Sequence, residues 1–297
     1  MHQSVLLQEV VDGLDVKSHD VVVDGTLGSA GHASELAKKL SNEGFLIGID
    51  QDIDALKRGK ENLESCEAKV ELIKGNFRDV DTLLKEIGID EVNKILLDLG
   101  MSSNQIEESG RGFSFKKEEP LLMTLRDDVD EETLTARRIV NEWREDQIET
   151  VLRGYGEEKH SRKIAKAIVE RREVSPIETT TELVKVIEDS VPKFYKWKRI
   201  HPATKTFQAL RIAVNDEIDA LSEGLERAYR LLKPNGRIAV ISFHSTEDRI
   251  VKRFFREVKE RDGGVILTKK PIVPSEDEIE KNPRARSAKL RIFEKHD

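Results

Sequence analysis

The chain has 297 residues, of which 37% are hydrophobic and 36% charged, and its formal net charge is -7. This length fits one large domain carrying an insertion, and no apolar run approaches the roughly 20 residues that a membrane span needs. A single cysteine, Cys66, excludes an internal disulfide and a thiolate zinc site, so we expect no metal. The absence of a secretory signal pattern leads us to expect a cytoplasmic protein without a membrane partner.

The first hundred residues alternate short apolar strands with amphipathic helices, which predicts a parallel α/β sheet. The run 21–23 is β-branched throughout, as is typical of a strand buried on both faces. A glycine-rich loop and a helix follow it, from Gly25 to about Leu40. The next predicted elements are strands at 45–49, 70–73 and 95–97 and a helix at 53–63.

The pattern changes between about Ser103 and His201, where the chain is charged, helix-forming and almost free of strand-like runs. Short helices are predicted there at 133–139, 147–152, 162–172 and 180–187. One long amphipathic helix is then predicted from Phe207 to Leu232, followed by strands at 237–243, 265–267 and 289–293. We therefore predict a core formed by 1–103 and 204–297, with 104–203 as a helical insertion that recognises the substrate.

Three acids follow predicted strands, at the edge where ligands of an open parallel sheet bind. They are Asp24, Asp50 and Asp98. Asp50 lies nineteen residues past Gly31, a spacing at which an acid can accept hydrogen bonds from both hydroxyls of a ribose. This arrangement predicts a ligand that carries a nucleoside.

The loop Asp24–His32 has glycines at positions 25, 28 and 31, which let the backbone approach a ligand closely. It lacks the lysine of a nucleotide-triphosphate loop and does not have the Gly-x-Gly-x-x-Gly of dinucleotide enzymes. S-adenosylmethionine is the remaining candidate, because its adenosine needs a ribose carboxylate and its amino-acid end can use loop amides. The loop alone leaves a plain strand-to-helix turn as the alternative.

Three basic runs, 159–172, 193–211 and 281–291, interrupt this acidic chain. Any one of them could be a solvated helix face, but three together indicate a polyanionic substrate. The predicted phosphate ligands are Lys205, Arg211, Arg284 and Arg286. The candidates for stacking on a base are Phe194, Tyr195, Trp197 and Phe207, of which Phe207 also fits the core stripe of its helix.

Eight segments follow one another through nearly the whole chain. They are HQSVLLQE (2–9), DGTLGSAGH (24–32), LLDLGMSS (96–103), RGFSF (111–115), YGEEKHSRKIA (155–165), HPATKTFQALRI (201–212), ISFHSTEDRIVKRF (241–254) and NPRARSAKLR (282–291). Together they resemble the MraW (RsmH) family of ribosomal small-subunit RNA cytosine-N4 methyltransferases. The resemblance implies a class I S-adenosylmethionine-dependent methyltransferase (Rossmann-like) core with an inserted all-helical domain. It also implies N4-methylation of a cytidine in the decoding centre (P site) of 16S ribosomal RNA, with the small ribosomal subunit as partner.

The resemblance implies contacts to S-adenosylmethionine at seven positions. They are Ala30, Gly31, His32, Asp50, Phe77, Asp98 and Gln105. Taken alone, Phe77 would be predicted as a core residue. The chain departs from the family at Ala30, where Gly is common, and over 120–125, where an acid and an arginine are missing and Arg126 and Asp127 are candidates to replace them.

The exocyclic amine of cytosine is a poor nucleophile, so a site for it must accept hydrogen bonds from the amine and take its proton. We predict Asp98, or a backbone carbonyl beside it, as the acceptor, with His244 or His201 holding the base. A methyltransferase acting on DNA, transfer RNA or a protein is one alternative. A ribosome assembly factor that binds the cofactor without turnover is another.

Overall fold

A computed structural model describes residues 4–101, 105–106, 109–126, 128–192, 195 and 200–296. The chain forms two compact units, residues 1–100 with 218–297 and residues 101–217. The strands are β1 Val21–Asp24, β2 Phe45–Asp50, β3 Lys69–Lys74, β4 Val92–Asp98, β5 Leu232–Ser242, β6 Val265–Ile266 and β7 Lys289–Glu294. The helices are α1 Leu7–Leu14, α2 Gly31–Ala37, α3 Ile53–Leu63, α4 Val80–Glu86, α5 Ala136–Glu142, α6 Glu145–Gly154, α7 Ser161–Val174, α8 Thr180–Ser190, α9 Ala203–Asn215, α10 Glu217–Leu231, α11 Ser245–Asp262 and α12 Glu276–Lys281. No helix of the described residues is both long and apolar enough to cross a membrane.

The first unit contains a seven-stranded sheet in the order β3-β2-β1-β4-β5-β7-β6. Strands β1 to β5 pair in parallel, whereas β7 is antiparallel to both β5 and β6. The carboxyl ends of β1, β2 and β4 therefore meet at one edge, and the three acids that follow or end these strands lie there. This sheet and its helices confirm the predicted class I methyltransferase core.

Two apolar cores cover the two faces of the sheet, since successive residues of a strand point to opposite sides. Val22 of β1 lies in the core that includes α1 and α2, and its neighbour Val23 lies in the core that includes α4, α10 and α11. Both valines are fully buried, as predicted from the β-branched run. The sheet thereby holds the ends of its strands in a fixed position.

The second unit packs helices α5 to α9 around a third core. Polar caps set the helix starts: Thr179 accepts a hydrogen bond from the Glu182 N–H, and the Glu182 side chain bonds back to Thr179. This unit runs to residue 217, so α9 belongs to it, whereas we predicted the insertion to end at 203. Phe207 and Leu210 explain the difference, because the apolar stripe of α9 packs into the third core.

The prediction of one helix from Phe207 to Leu232 is wrong. Asp216 has a φ of 50° and separates α9 from α10. An aspartate tolerates this left-handed conformation, and one such residue turns the chain without disturbing the spacing of apolar residues on either side. Helices α1, α4, α11 and α12 have no counterpart among the predicted elements.

Gly112 is required for the second unit by its backbone conformation and by its surroundings. Its φ is 77°, and a Cβ at this position would collide with the carbonyl oxygen of Pro120. We expect Gly112→Ala to lower the free energy of unfolding by about 2–4 kcal/mol, the sum of left-handed strain and overpacking. Gly110→Ala is the matched control, because Gly110 also has a positive φ (67°) but open space around it, and should cost only about 1 kcal/mol.

Both tryptophans of the chain, Trp143 and Trp197, belong to residues 101–217, so urea unfolding followed by tryptophan fluorescence reports on this unit. Equal losses for the two variants would contradict the steric argument.

Candidate cofactor and active site

The loop after β1 is fixed to the ends of the neighbouring strands by its backbone. The Gly25 N–H donates to the Leu96 carbonyl of β4 (2.9 Å), and the Leu27 N–H donates to the Ile49 carbonyl of β2 (3.0 Å). Gly28 and Ala30 both have positive φ, 54° and 60°, before α2 begins. Ala30 is fully buried, and its methyl group packs in the core that includes α1 and α2.

The Asp50 carboxylate is held by backbone amides at the end of β2. Its Oδ2 accepts from the Gly28 N–H at 2.8 Å and its Oδ1 from the Asp52 N–H at 2.9 Å. Burial raises the pKa of Asp50, and these two hydrogen bonds oppose the rise. Each carboxylate oxygen has a second lone pair, so the oriented carboxylate can still accept two hydroxyl groups, as the predicted ribose contact requires.

Asp98, at the end of β4, faces His32, on the first turn of α2. The Asp98 N–H donates to Thr26 Oγ1 at 2.6 Å, and Asp98 Oδ2 lies 3.5 Å from His32 Nδ1. On the other side of the ring, His32 Nε2 lies 2.9 Å from the Val5 carbonyl. Within the described part of the chain, Asp98 Oδ1 is covered by protein and has no hydrogen-bond partner.

These contacts determine where the protons lie. Burial lowers the pKa of His32, so its ring is neutral at pH 7 and Nε2 carries the proton that Val5 accepts. Nδ1 then presents a lone pair to Asp98. Burial raises the pKa of Asp98 to about 7, and the negative charge of Glu247 adds to the rise. At neutral pH the pair therefore favours a protonated Asp98, which avoids a carboxylate facing the ring lone pair.

Asp24 adds a further buried acid at this edge. Its side chain is 1% exposed, and its Oδ1 accepts from the Thr26 N–H at 3.1 Å. Burial raises the pKa of Asp24 to about 6, and the hydrogen bond from the Thr26 backbone N–H opposes the rise. Since buried carboxylates are costly unless they meet a donor or a cation, this edge is suited to a ligand with positive charge or N–H groups.

Glu247 is a buried residue of this edge that the sequence reasoning missed. It is 3% exposed and stands at the third position of α11, where its Oε2 accepts from the backbone N–H groups of Phe243 (2.8 Å) and His244 (3.2 Å). His244 is the N-cap, and its Nδ1 accepts from the Glu247 N–H. The reciprocal pattern is a capping box, and HSTE at 244–247 is the sequence signal that could have revealed it.

Phe77 follows the end of β3 and is half-buried. Its ring packs so closely on Gly224 of α10 that a Cβ there would lie 2.6 Å from Phe77 Cδ2. The ring also contacts the second core of the sheet, as expected from the sequence alone. An aromatic residue at this end of β3 keeps the predicted contact to adenine possible.

The second unit contains several predicted contacts to RNA. His201 stacks on Phe115 with ring centroids 4.8 Å apart, and its Nε2 lies 3.3 Å from Glu188 Oε1. Phe207 packs edge-on against Phe115 and is 4% exposed, so it is a core residue. Phe115 is the residue that sequence reasoning did not single out, although it belongs to the RGFSF segment.

The predicted phosphate ligands have different surroundings. Lys205 Nζ donates to the Glu157 carbonyl at 2.8 Å, whereas Arg211 forms a bidentate ion pair with Glu217, both contacts at 2.8 Å. A phosphate would have to compete with Glu217 for Arg211. Arg284 and Arg286 lie on an exposed 3-10 turn, Pro283–Ser287, of the first unit.

Phe194, Trp197 and Asp127 lie outside the described residues. Tyr195 donates to Glu158 Oε2 at 3.0 Å and is 8% exposed, which gives it a buried role. Gln105 belongs to the second unit and is half-buried there.

The family model for the MraW methylase family matches residues 1–296. Ribosomal RNA small subunit methyltransferase H of Clostridium botulinum (strain Kyoto / Type A2) is 46% identical over 99% of this chain and 98% of its own length. The protein of the same name from Brevibacillus brevis (strain 47) is 44% identical with the same coverage. Among solved structures, an rRNA methylase from Streptococcus thermophilus covers 100% of this chain and 99% of its own, with 12% identity and a TM-score of 0.47.

Asp98 should make the free protein less stable as the pH rises. Its folded pKa of about 7 exceeds the ordinary value of 3.8, so between these pH values the folded state binds more protons than the unfolded chain, and stability falls with increasing pH. The side chain remains 25% exposed, which moderates the effect. We expect Asp98→Asn to raise the free energy of unfolding at pH 8 by about 2–4 kcal/mol and to change it little at pH 4.

Urea unfolding of the cofactor-free protein at both pH values measures this effect. Asp90→Asn is the control, since Asp90 is exposed and should change stability by less than about 0.5 kcal/mol. An Asp98→Asn protein no more stable than wild type at pH 8 would contradict the burial argument.

Proposed function

The chain belongs to the MraW methylase family, and on this premise we propose that it methylates N4 of a cytidine in the decoding centre (P site) of 16S ribosomal RNA. Relatives named for small-subunit ribosomal RNA methylation match it over 99% of its length, insertion included. The structural observation that carries the chemistry is Asp98, a carboxyl group with a raised pKa and one oxygen without a partner in the described chain.

S-adenosylmethionine is the methyl donor of this enzyme, and it supplies an electrophilic methyl group when bound. The site fits it. The Asp50 carboxylate is oriented for ribose hydroxyls, and the loop 30–32 brings backbone N–H groups and His32 to the same edge. The Asp98 side chain, which is 25% exposed, can offer its carboxylate to a cationic or N–H donor. Phe77 is assigned to the adenine, and Gln105 is retained as a further cofactor contact.

Asp98 is also our assignment for the acceptor of the amine proton. A general base is most effective when its pKa lies near the working pH, and the pKa of Asp98, about 7, meets that condition. A hydrogen bond from the amine to Asp98 would increase electron density on N4. His32 acts as a positioning residue, because its bond to Val5 directs Nδ1 at Asp98. His244, fixed as a helix cap, is assigned to holding the base.

The RNA contacts are assigned to residues of both units. Lys205, Arg284 and Arg286 are proposed to bind phosphates, and Arg211 can do so where a phosphate displaces Glu217. His201, stacked on Phe115, is proposed to contact a base, since half-exposed aromatic planes stack on unpaired bases.

The substrate is tested by incubating the protein with labelled S-adenosylmethionine and small ribosomal subunits, naked ribosomal RNA, transfer RNA, DNA or protein. We expect label only in the first two samples, and nucleoside analysis should identify it as N4-methylcytidine. Label in DNA, transfer RNA or protein would overturn the proposal. Cofactor binding without transfer to any sample would favour an assembly factor instead.

The acceptor role of Asp98 predicts a specific kinetic defect. Asp98→Asn keeps the shape of the side chain but cannot take a proton, so kcat at saturating cofactor should fall by about 10²–10⁴-fold. Cofactor affinity, measured by calorimetry with S-adenosylhomocysteine, is the second readout. Full kcat with weakened cofactor binding would show that Asp98 only holds the cofactor, and would move the acceptor role to a backbone carbonyl beside it.

A further inference from the structure

A basic recess of about 270 Å³ lies in the first unit, between α11 and the strands β6 and β7. Its cationic lining consists of Lys252, Arg256, Lys259, Lys269 and Arg291. Phe255, which is 1% exposed, and the half-buried Ile266 complete the wall. None of these residues takes part in the site described above.

The helix places three of the cations in a row. Lys252, Arg256 and Lys259 are spaced by four and three residues, so they share one face of α11. With a rise of 1.5 Å per residue, the row is about 10 Å long. Phe255 and Val258 are buried in the core of the sheet, so the packing fixes the direction in which this face points.

The positive charge of the recess is only partly balanced. Arg291, which is 5% exposed, bonds Asp248 at 2.7 Å, and Lys289 shares that acid at 3.3 Å. In contrast, Lys252, Arg256, Lys259 and Lys269 have no carboxylate within 4 Å among the residues that the structure describes. Four unbalanced cations around one recess, in a chain with a net charge of -7, indicate an anionic ligand.

We propose that this recess binds consecutive phosphates of the RNA backbone beside the target nucleotide. The inference rests on the proposed function. Helix α11 begins at Ser245, next to His244 and the end of β5, so the row lies roughly 12–22 Å along the helix from the candidate site. Each strand of duplex DNA carries one charge per about 3.4 Å of helix axis, and phosphates along the strand itself are farther apart, so a 10 Å row can face about two consecutive phosphates.

RNA fits this recess better than a protein partner does. A stable protein interface has an apolar centre, whereas the apolar lining here is limited to Phe255 and Ile266 and is surrounded by cations. Cations of this kind position a backbone without reading its sequence. The recess is therefore expected to supply affinity, and the site at the sheet edge is expected to supply the chemistry.

The test compares two triple variants that lose the same charge. Lys252→Gln, Arg256→Gln and Lys259→Gln remove the row, and Lys39→Gln, Lys60→Gln and Lys85→Gln remove three exposed lysines elsewhere on the first unit. Binding to a small-subunit ribosomal RNA transcript is measured against salt concentration. The row variant should bind about 10–100-fold more weakly at 0.1 M salt, with a log-log salt slope smaller by about 2, whereas the control should change less than threefold.

Activity separates this inference from the proposed function. With small ribosomal subunits, the row variant should show a raised KM for RNA with kcat and S-adenosylhomocysteine affinity close to wild type. If the row variant matches the control in RNA binding and in KM, the proposal that the recess binds RNA is overturned. Methylation by the wild-type protein would leave the proposed function intact in that case. If the row variant lost binding to intact subunits but bound naked RNA as well as wild type does, the proposal would also be overturned, because the partner of the recess would then be a ribosomal protein. No methylation by the wild type would instead overturn the proposed function.

Discussion

The pair formed by the buried His32 and the half-buried Asp98 is the constraint on which the candidate site depends. A strand end brings a carboxyl group into a poorly solvated position, and a histidine fixed by the Val5 carbonyl turns a lone pair towards it. Such a pair is stable only when a proton or a positively charged group lies nearby. The free protein supplies the proton, because the pKa of Asp98 rises to about 7. A cationic ligand can take the place of this proton. Ligand binding then offsets the free energy that folding loses by desolvating the Asp98 carboxyl group.

The geometry of the sheet brings these carboxyl groups together. Parallel strands β1, β2 and β4 end together, so three acids converge where a less rigid backbone would let them separate. Asp50 differs from Asp98 because two backbone N–H groups hold its carboxylate. The two acids thus suit different partners. Asp50 is oriented to accept neutral hydroxyl groups, whereas Asp98, one of whose oxygens has no hydrogen-bond partner among the described residues, suits a charged donor or a proton. Glu247, fixed at the start of α11, increases the difference by raising the pKa of Asp98 further.

The sequence predicted most of this fold and the edge where the acids meet, since β-branched runs and glycine spacing are local signals. Helix α3 was predicted with its observed bounds, and the cofactor prediction is confirmed. The break at Asp216 was missed because apolar periodicity continues through it, and a positive φ at a non-glycine residue has little sequence signature. The protonation states of His32 and Asp98 could not be predicted from the sequence either. They depend on the contact between His32 and the Val5 carbonyl, residues 27 positions apart, and on burial that only packing determines.

The local distribution of charge in this protein matters more for ligand binding than its net charge does. A net charge of -7 would repel RNA, yet the acids of the candidate site are buried or half-buried at the sheet edge, where protonation and hydrogen bonds reduce their field. Three exposed cations of α11, Lys252, Arg256 and Lys259, have no carboxylate within 4 Å among the described residues, although Arg253 of the same helix pairs with Glu257. A polyanion approaching that face therefore meets local attraction within one Debye length, about 10 Å at 0.1 M salt, which the more distant acids oppose only weakly. The shielded acids at the sheet edge and the exposed cations on α11 are therefore complementary. Their separation lets an acidic chain bind a cationic cofactor at one place and an anionic substrate at another.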